Sequence, residues 1–371
     1  MKARPTPLPT PRMTLGDLGW SDFFAAAFAP YAEQGLSPAR VVAQRGLTSV
    51  STGDAEHYAD LAGRLRRELE IPSNVAGFPA VGDWVALRLP TGGGRALIHA
   101  VLPRRSKFSR KVAGQRTEEQ VVAANVDTLF LVSGLDGDFN PRRIERYLTA
   151  AWESGARPVV ILNKLDKCPD PDGCLLEAEA VAMGVPVHRV SAKTGEGCDA
   201  LEVYLVRGQT VSLLGSSGVG KSTLINRLLG REAQRTGDVR EADDRGRHTT
   251  THRELLVAPA GALLLDTPGL REIQLWDADQ GIESAFADIE ELAERCRFAD
   301  CRHQGEPGCA VEQAASDGGL APERLESYRK LQRELRQIQL RQDEIARLRE
   351  KQRVKAVHRA QRSLDRFKPH R

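Results

Sequence analysis

No uninterrupted apolar run in this sequence approaches the roughly 18 residues that a bilayer-crossing helix needs. The longest near the N-terminus, FFAAAFA at Phe23–Ala29, stops at Pro30. No basic segment followed by an apolar one precedes it, so a secretory leader is not expected. Cysteine is sparse, with six in 371 residues, and three of the six cluster near a histidine. That argues against a disulfide framework and for a metal, and the expectation is a cytoplasmic protein with no membrane partner. Charge of one sign is also missing overall, since the net charge is only +3. The balance is uneven, however. Residues 345–371 carry ten Lys/Arg against two Asp/Glu, or +8, which leaves about −5 for the rest. A basic tail on a slightly acidic body suits a polyanionic partner such as nucleic acid, although a solvated helix face looks the same in sequence.

What is present is a globular composition, 41% hydrophobic and 28% charged, in a chain long enough for two or three domains. Residues 1–12 are rich in Pro and Thr and read as disordered. TLGDLGWSDFFAAAFAPYAEQG reads as a short helix capped by Thr14. From about residue 36 to 111, short β-like runs (ARVVAQRG, LTSVST, HYADLAGRLRREL, VGDWVALRL, RALIHAVLPRRSKFSR) are broken by Gly and Pro. Their spacing predicts a small barrel of the OB type. RRSKFSRK at its end sets cations around one aromatic, Phe108, a pattern suited to phosphates and a stacked base. Beyond residue 118 the texture changes. Apolar β-branched runs (VDTLFLVSG, RPVVILN, VPVHRVSA, TVSLLG, HRELLVA, ALLLDTPG) alternate with amphipathic helices, which predicts a doubly wound parallel sheet. Ligands of such sheets bind at the carboxyl ends of the strands, where every motif below sits.

GSSGVGKS, residues 215–222, matches the phosphate-loop pattern between a strand and a helix. Gly215, Gly218 and Gly220 let backbone N–H groups of Ser216, Ser217, Val219 and their neighbours curl around phosphates. Lys221 neutralises β/γ charge, Ser222 offers a hydroxyl to Mg²⁺, and the helix that continues through Thr223 turns its positive end to the anion. This motif does not separate GTP from ATP. NKLD, residues 163–166, does. Guanine presents two donors that Asp166 can accept together, Asn163 can tie the loop, and the Lys164 stem can cover the base. SAK, Ser191–Ala192–Lys193, ends another strand and can set an N–H near guanine O6. In DTPG, Asp266 can hold Mg²⁺ through water and the Gly269 N–H can sense the γ-phosphate. Before it, Thr249, Thr250 or Thr251 can close onto Mg²⁺, with Thr250 preferred, and an ordinary capping role is the alternative. Leu270 occupies the place where a water-orienting glutamine is usual. Slow intrinsic hydrolysis, on the order of 10⁻⁴ s⁻¹, is therefore expected. His248 is the candidate to orient water, and Lys221, Thr250 and His248 form the expected catalytic set.

CRFADCRHQGEPGC places Cys296, Cys301, His303 and Cys309 as C-x4-C-x-H-x5-C, four soft ligands that suit one closed structural Zn²⁺. In LESYRKLQRELRQIQLRQDEIARL, Leu331, Leu335, Ile338, Ile345 and Leu348 form one apolar stripe that docks rather than coils.

The order NKLD, SAK, GSSGVGKS, DTPG, between a small barrel and a Cys₃His segment, resembles the circularly permuted GTPases of the RsgA/YjeQ family. The resemblance covers about residues 36–340 and implies a multi-domain chain: an all-β OB-type barrel (36–115), a permuted α/β P-loop GTPase domain (116–290) and an α-helical zinc-binding domain (291–340), which an N-terminal extension (1–35) and a basic tail (341–371) flank. It also implies GTP hydrolysis stimulated by the 30S ribosomal subunit, binding to 16S rRNA, a role in late 30S maturation, and GTP/GDP, Mg²⁺ and one Zn²⁺ as cofactors. A monomer is expected. The alternatives are a nucleotide-gated RNA-binding scaffold with little hydrolysis, which Leu270 leaves open, and an ATP-dependent enzyme. DTPG is the last motif, 27 residues before Cys296 by subtraction, so the γ-phosphate sensor is expected to reorient the zinc domain.

Overall fold

The computed structural model describes residues 13–92, 94–111, 119–232, 253–266, 279–337 and 339–340. His248, Thr249, Thr250, Thr251, Gly269, Leu270, the Pro-rich start and the basic tail lie outside them. The chain divides into two compact units, residues 1–110 with 118–274, and residues 111–117 with 275–371. Among the described residues no helix is long and apolar enough to cross a membrane.

The first unit begins with a turn rather than a helix at Thr14. The Thr14 N–H and hydroxyl both bond Asp17, at 2.8 and 2.9 Å, which closes a local loop. The helix, α1 (Asp22–Ala32), starts eight residues later. Phe24 and Phe28, one turn apart, face inward, and Trp20 meets Trp84 edge-on at 4.6 Å. Five strands follow: β1 (Ser37–Gln44), β2 (Thr48–Ser51), β3 (Glu56–Leu61), β4 (Trp84–Arg88) and β5 (Ala96–Val101). They pair in the order β1-β2-β3-β5-β4, and β1 pairs β4 to close a barrel. Closure removes the sheet's open edges. HYADLAGRLRREL is not one strand. It supplies β3 and then a helix, α2 (Gly63–Leu69), because Leu65 and Leu69 repeat at helical spacing and both are buried.

A separate two-stranded sheet, β6 (Lys107–Lys111) with β7 (Glu119–Ala124), precedes the nucleotide sheet. Its strands are β8 (Thr128–Gly134), β9 (Arg157–Asn163), β10 (Val187–Arg189), β11 (Thr210–Leu214), β12 (Arg253–Val257) and β13 (Leu263–Asp266). The spatial order is β10-β9-β8-β11-β13-β12, parallel throughout except for β12. β8 and β11 are buried along their whole length, as a sheet covered on both faces requires. Helices α3 (Pro141–Ser154), α4 (Pro171–Val181) and α5 (Lys221–Leu229) are the crossovers. The phosphate-loop strand β11 is central although more than half of the chain precedes it. The strands that carry NKLD and SAK come before it in sequence and lie to one side in space. The fold is thus that of a P-loop GTPase with its chain break moved. CDALEVYLV forms a 3₁₀ helix, Cys198–Tyr204.

A bulge between Val41 and Ala43 lets β1 serve two partners. Its first half pairs β4, and its end pairs β12 at Ala43↔Glu254 and Gln44↔Arg253. The barrel therefore continues the nucleotide sheet as one sheet of eleven strands. Arg40 locks this junction. It is 1% exposed, and its guanidinium donates to the carbonyls of Leu18 (2.5 Å), Gly82 (3.1 Å) and Asn125 (3.0 Å). Burial pulls its pKa down to about 10.

The second unit holds α6 (Asp279–Ala285), α7 (Ala287–Ala293), α8 (Ala310–Ser316) and a helix over 322–337. In that last helix Leu325, Tyr328, Leu331 and Leu335 are buried, and Arg324 clasps Asp288 at 2.6 and 2.7 Å. The apolar stripe docks here as far as Leu335. Ile338, Ile345 and Leu348 lie outside the residues whose side chains are described.

Candidate functional site

Strand β11 delivers the chain to Gly215, and α5 begins at Lys221. Between them the backbone passes through φ +79° at Gly218 and +94° at Gly220, a region that L side chains rarely adopt. Space forbids them as well. A Cβ on Gly220 would stand 2.4 Å from Asn163 Nδ2, and one on Gly215 would stand 2.3 Å from the Val132 carbonyl. Lys221 Nζ donates to the carbonyls of Gly215 (2.7 Å) and Ser216 (2.5 Å). Ser217 and Gly218 are exposed and Ser222 half-buried.

Asn163, 2% exposed at the end of β9, joins three motifs. Its Nδ2 donates to the Val219 carbonyl at 2.7 Å in the phosphate loop, and its Oδ1 accepts from the Ala192 N–H at 2.9 Å in SAK. Asp166 is exposed, with one carboxylate oxygen accepting from the Ser191 hydroxyl at 2.6 Å. That bond is the main cause that holds Asp166 below the ordinary carboxylate range, so it presents a fixed anion. Ser191 also accepts from the Thr194 N–H at 3.1 Å, which closes the turn that carries Lys193. Lys164, at φ +69°, is ion-paired to Asp136. Asp266 ends β13 half-buried beside β11, where Ser212 bonds the Leu265 carbonyl at 3.0 Å. The fold thus brings Asn163, Lys164, Asp166, Ser191, Ala192, Lys193, Gly215–Thr223 and Asp266 to one end of the sheet.

One contributor is not legible from motif spacing. Arg227, two turns into α5, donates to the carbonyls of Ala192 (2.7 Å) and Lys193 (2.8 Å) and fixes SAK from the phosphate-loop helix.

The barrel's basic run differs from expectation. Phe108 is 1% exposed and cannot stack a base. Arg104 is a fastener: it grips Asp83 at 2.7 and 2.8 Å and the carbonyls of Ala76 and Phe78. Arg105 pairs with Asp127 and Lys107 with Glu119. Phe108 and its neighbour Ser109 are both buried, which a charge pattern alone does not reveal.

In the second unit, the thiols of Cys296, Cys301 and Cys309 and a ring nitrogen of His303 lie within 4.8 Å of one another. Cys296 Sγ stands 3.9 Å from Cys309 Sγ and 3.6 Å from His303 Nδ1, and that nitrogen stands 3.3 Å from Cys309 Sγ. A tetrahedral ion with Zn–S near 2.3 Å separates its sulfurs by about 3.8 Å. The cluster therefore fits zinc with little movement. Cys309 caps α8, where the Glu312 N–H donates to its sulfur at 3.4 Å. Burial alone would raise the Cys296 thiol, but N–H groups of Ala310 and Val311 bring it below its ordinary value. His303 takes φ +55°, and its carbonyl accepts from Arg329. Cys168, Cys174 and Cys198 belong to the first unit and take no part in this cluster.

Residues 101–276 match the RsgA GTPase family model. "Small ribosomal subunit biogenesis GTPase RsgA" of Opitutus terrae is 51% identical over 365 residues, which cover 96% of this chain and 99% of that protein. The chain belongs to the RsgA GTPase family. The protein of the same name from Syntrophotalea carbinolica is 44% identical over 356 residues, covering 94% of this chain and 96% of its own. Among solved structures, YjeQ from Thermotoga maritima matches with TM-score 0.60 and 28% identity, over 81% of this chain and 98% of that one. YloQ, described as a circularly permuted GTPase, matches in fold with TM-score 0.58.

Proposed function

We propose that this GTPase binds the small ribosomal subunit, hydrolyses GTP when the subunit stimulates it, and acts in the subunit's late maturation. The observation that carries the nucleotide half is Asn163, which holds the guanine motif, the SAK turn and the phosphate loop in one hydrogen-bonded unit. The ribosomal half draws on the names of the relatives, which are 44–51% identical over nearly the whole chain.

In this reading Asp166 accepts both guanine donors, Lys164 lies along the base, and the Ala192–Lys193 turn meets O6. The N–H groups of residues 216–223 and Lys221 hold the phosphates. Ser222, with Thr250, would hold Mg²⁺, and Asp266 would reach it through water. Mg²⁺ supplies charge neutralisation at the β/γ oxygens when bound. Gly269 senses the γ-phosphate and His248 orients the attacking water. Cys296, Cys301, His303 and Cys309 hold one structural zinc. The 30S subunit and its 16S rRNA are the partners, the protein acts as a cytoplasmic monomer, and nucleotide state reorients the zinc domain on RNA. Leu270 favours a second reading, a nucleotide-gated RNA scaffold whose hydrolysis is incidental, because leucine cannot orient water.

Nucleotide preference and 30S binding test these together. Asp166→Asn should shift preference from GTP toward xanthosine triphosphate, and an unchanged preference contradicts the base assignment. The chain should co-sediment with 30S subunits with a non-hydrolysable GTP analogue and release with GDP. Equal binding in both states contradicts the switch.

A further inference from the structure

The turn between β8 and α3, GLDGDFN at 134–140, carries two carboxylates that none of the nucleotide motifs explains. Both are engaged, and each reaches a different motif. Asp136 accepts from Lys164 of NKLD. Asp138 accepts from the Ser216 hydroxyl of the phosphate loop at 2.7 Å. Arg143, in the first turn of α3, completes the arrangement. Its Nη1 donates to Asp138 Oδ2 at 2.6 Å and to Ser216 Oγ at 3.1 Å. The three side chains form a closed ring that satisfies the hydroxyl as both donor and acceptor. The backbone of Arg143 is itself fixed, because Asn140 caps the helix by accepting from the N–H groups of Arg142 and Arg143 at 2.9 and 3.3 Å.

We propose that this turn is a brace for the nucleotide cleft, with Asp138 and Arg143 as positioning residues that set Ser216 and thereby the first bend of the phosphate loop. The proposal rests on the reading of residues 215–222 as the phosphate cradle. The Ser216 carbonyl accepts from Lys221 Nζ at 2.5 Å, so the residue gripped by the brace is also the one that meets the phosphate-loop lysine. The Arg143 guanidinium, first among the causes, holds the Asp138 carboxyl below its usual range, so the carboxylate is an anion at neutral pH.

An anion beside a phosphate cradle is a liability unless it is neutralised, which gives the brace a charge signature. Arg143 must cancel Asp138 for the incoming phosphates to be tolerated. Removing Arg143 alone leaves a bare carboxylate against the ligand's charge. Removing both charges relieves that repulsion although a further hydrogen bond is lost. A purely structural role predicts the opposite order, with the double variant no better than the single one.

The test measures GDP affinity and steady-state GTP turnover of the full chain for Arg143→Ala, Asp138→Asn, the double variant and Arg143→Lys, at low and high salt. A charged hydrogen bond at a half-exposed site corresponds to about a tenfold effect. Arg143→Ala should weaken GDP binding about tenfold, with the change in KM rather than kcat, and the loss should shrink in high salt. The double variant should recover at least half of the logarithmic loss, and Arg143→Lys should retain most of the affinity. Asp138→Asn is isosteric and remains informative if Arg143→Ala fails to fold. It should weaken GDP binding less than about threefold, because the amide oxygen still accepts a hydrogen bond and no bare anion remains. A double variant as weak as Arg143→Ala, or Asp138→Asn weaker than Arg143→Ala, overturns the brace. Lys221→Ala separates the two readings. If it binds GDP as the unaltered chain does, the cradle reading fails and the brace with it. If it loses GDP while Arg143→Ala binds normally, the brace alone is wrong.

Discussion

Replacing Asn163 by alanine removes both hydrogen bonds that join the three nucleotide motifs. The side chain is 2% exposed, so the Val219 carbonyl and the Ala192 N–H lose their partners in a buried setting. Each orphaned group costs about 1–3 kcal/mol, and partial relaxation brings the pair to about 3 kcal/mol. That cost divides between two measurable quantities. The nucleotide-bound state needs both loops in place, so it bears the whole cost relative to the unfolded chain. The free protein can relax its loops and escape part of it. If the free chain is destabilised by about 1 kcal/mol, the remaining 2 kcal/mol weakens GDP about 30-fold. Urea unfolding without nucleotide gives the first part and calorimetric titration with GDP the second. Their sum should be about 3 kcal/mol however it divides. A sum below about 1 kcal/mol would refute the view that Asn163 couples the motifs.

Other outcomes follow from the same geometry. Purified protein should contain about one zinc per chain, and Cys301→Ser or a strong chelator should remove it and melt the second unit while leaving GDP binding intact. Retained zinc in Cys301→Ser contradicts the four-ligand assignment. Arg40→Ala takes the guanidinium from three buried carbonyls at the junction of N-terminal turn, barrel and nucleotide sheet; Gly82 keeps a bond from Asn125 Nδ2, Leu18 and Asn125 lose theirs, and the first unit should be destabilised by about 3 kcal/mol in urea unfolding. An effect under about 1 kcal/mol means that water replaces the guanidinium. Asp166 has its folded-state pKa lowered from 3.8, first by the Ser191 hydroxyl. A lowered carboxyl stays ionised above its ordinary value and loses its charge only as pH falls through the lower one. The ratio of GDP affinities between the unaltered chain and Asp166→Asn should therefore stay constant from about pH 8 to about pH 5. A tenfold fall in that ratio would place the titration, and the base contact, elsewhere.

The nucleotide sheet is legible in sequence because strands buried on both faces read as continuous apolar runs, and each motif ends one of them. The Cys₃His spacing is equally direct, since four soft ligands in a short loop have few other uses. What escapes sequence is long-range. Arg227 is an ordinary helical cation until its guanidinium is seen on the SAK carbonyls. Arg40 stands in the β-like run ARVVAQRG, where nothing in the sequence marks it, and is a buried knot. HYADLAGRLRREL misleads because Tyr58–Leu61 is β-like and the next turn is helical, so local propensity changes within one run. Phe108 sits among cations, but the fold buries it together with Ser109. The continuity of β1 with β12 depends on a bulge at Val41/Ala43 that no local pattern announces.

GTP turnover by the full chain, with and without purified 30S subunits, bears most directly on the central claim. Leu270 predicts slow turnover alone, on the order of 10⁻⁴ s⁻¹, and a subunit-supplied stimulation of well over about tenfold. The same turnover with and without 30S subunits would contradict it.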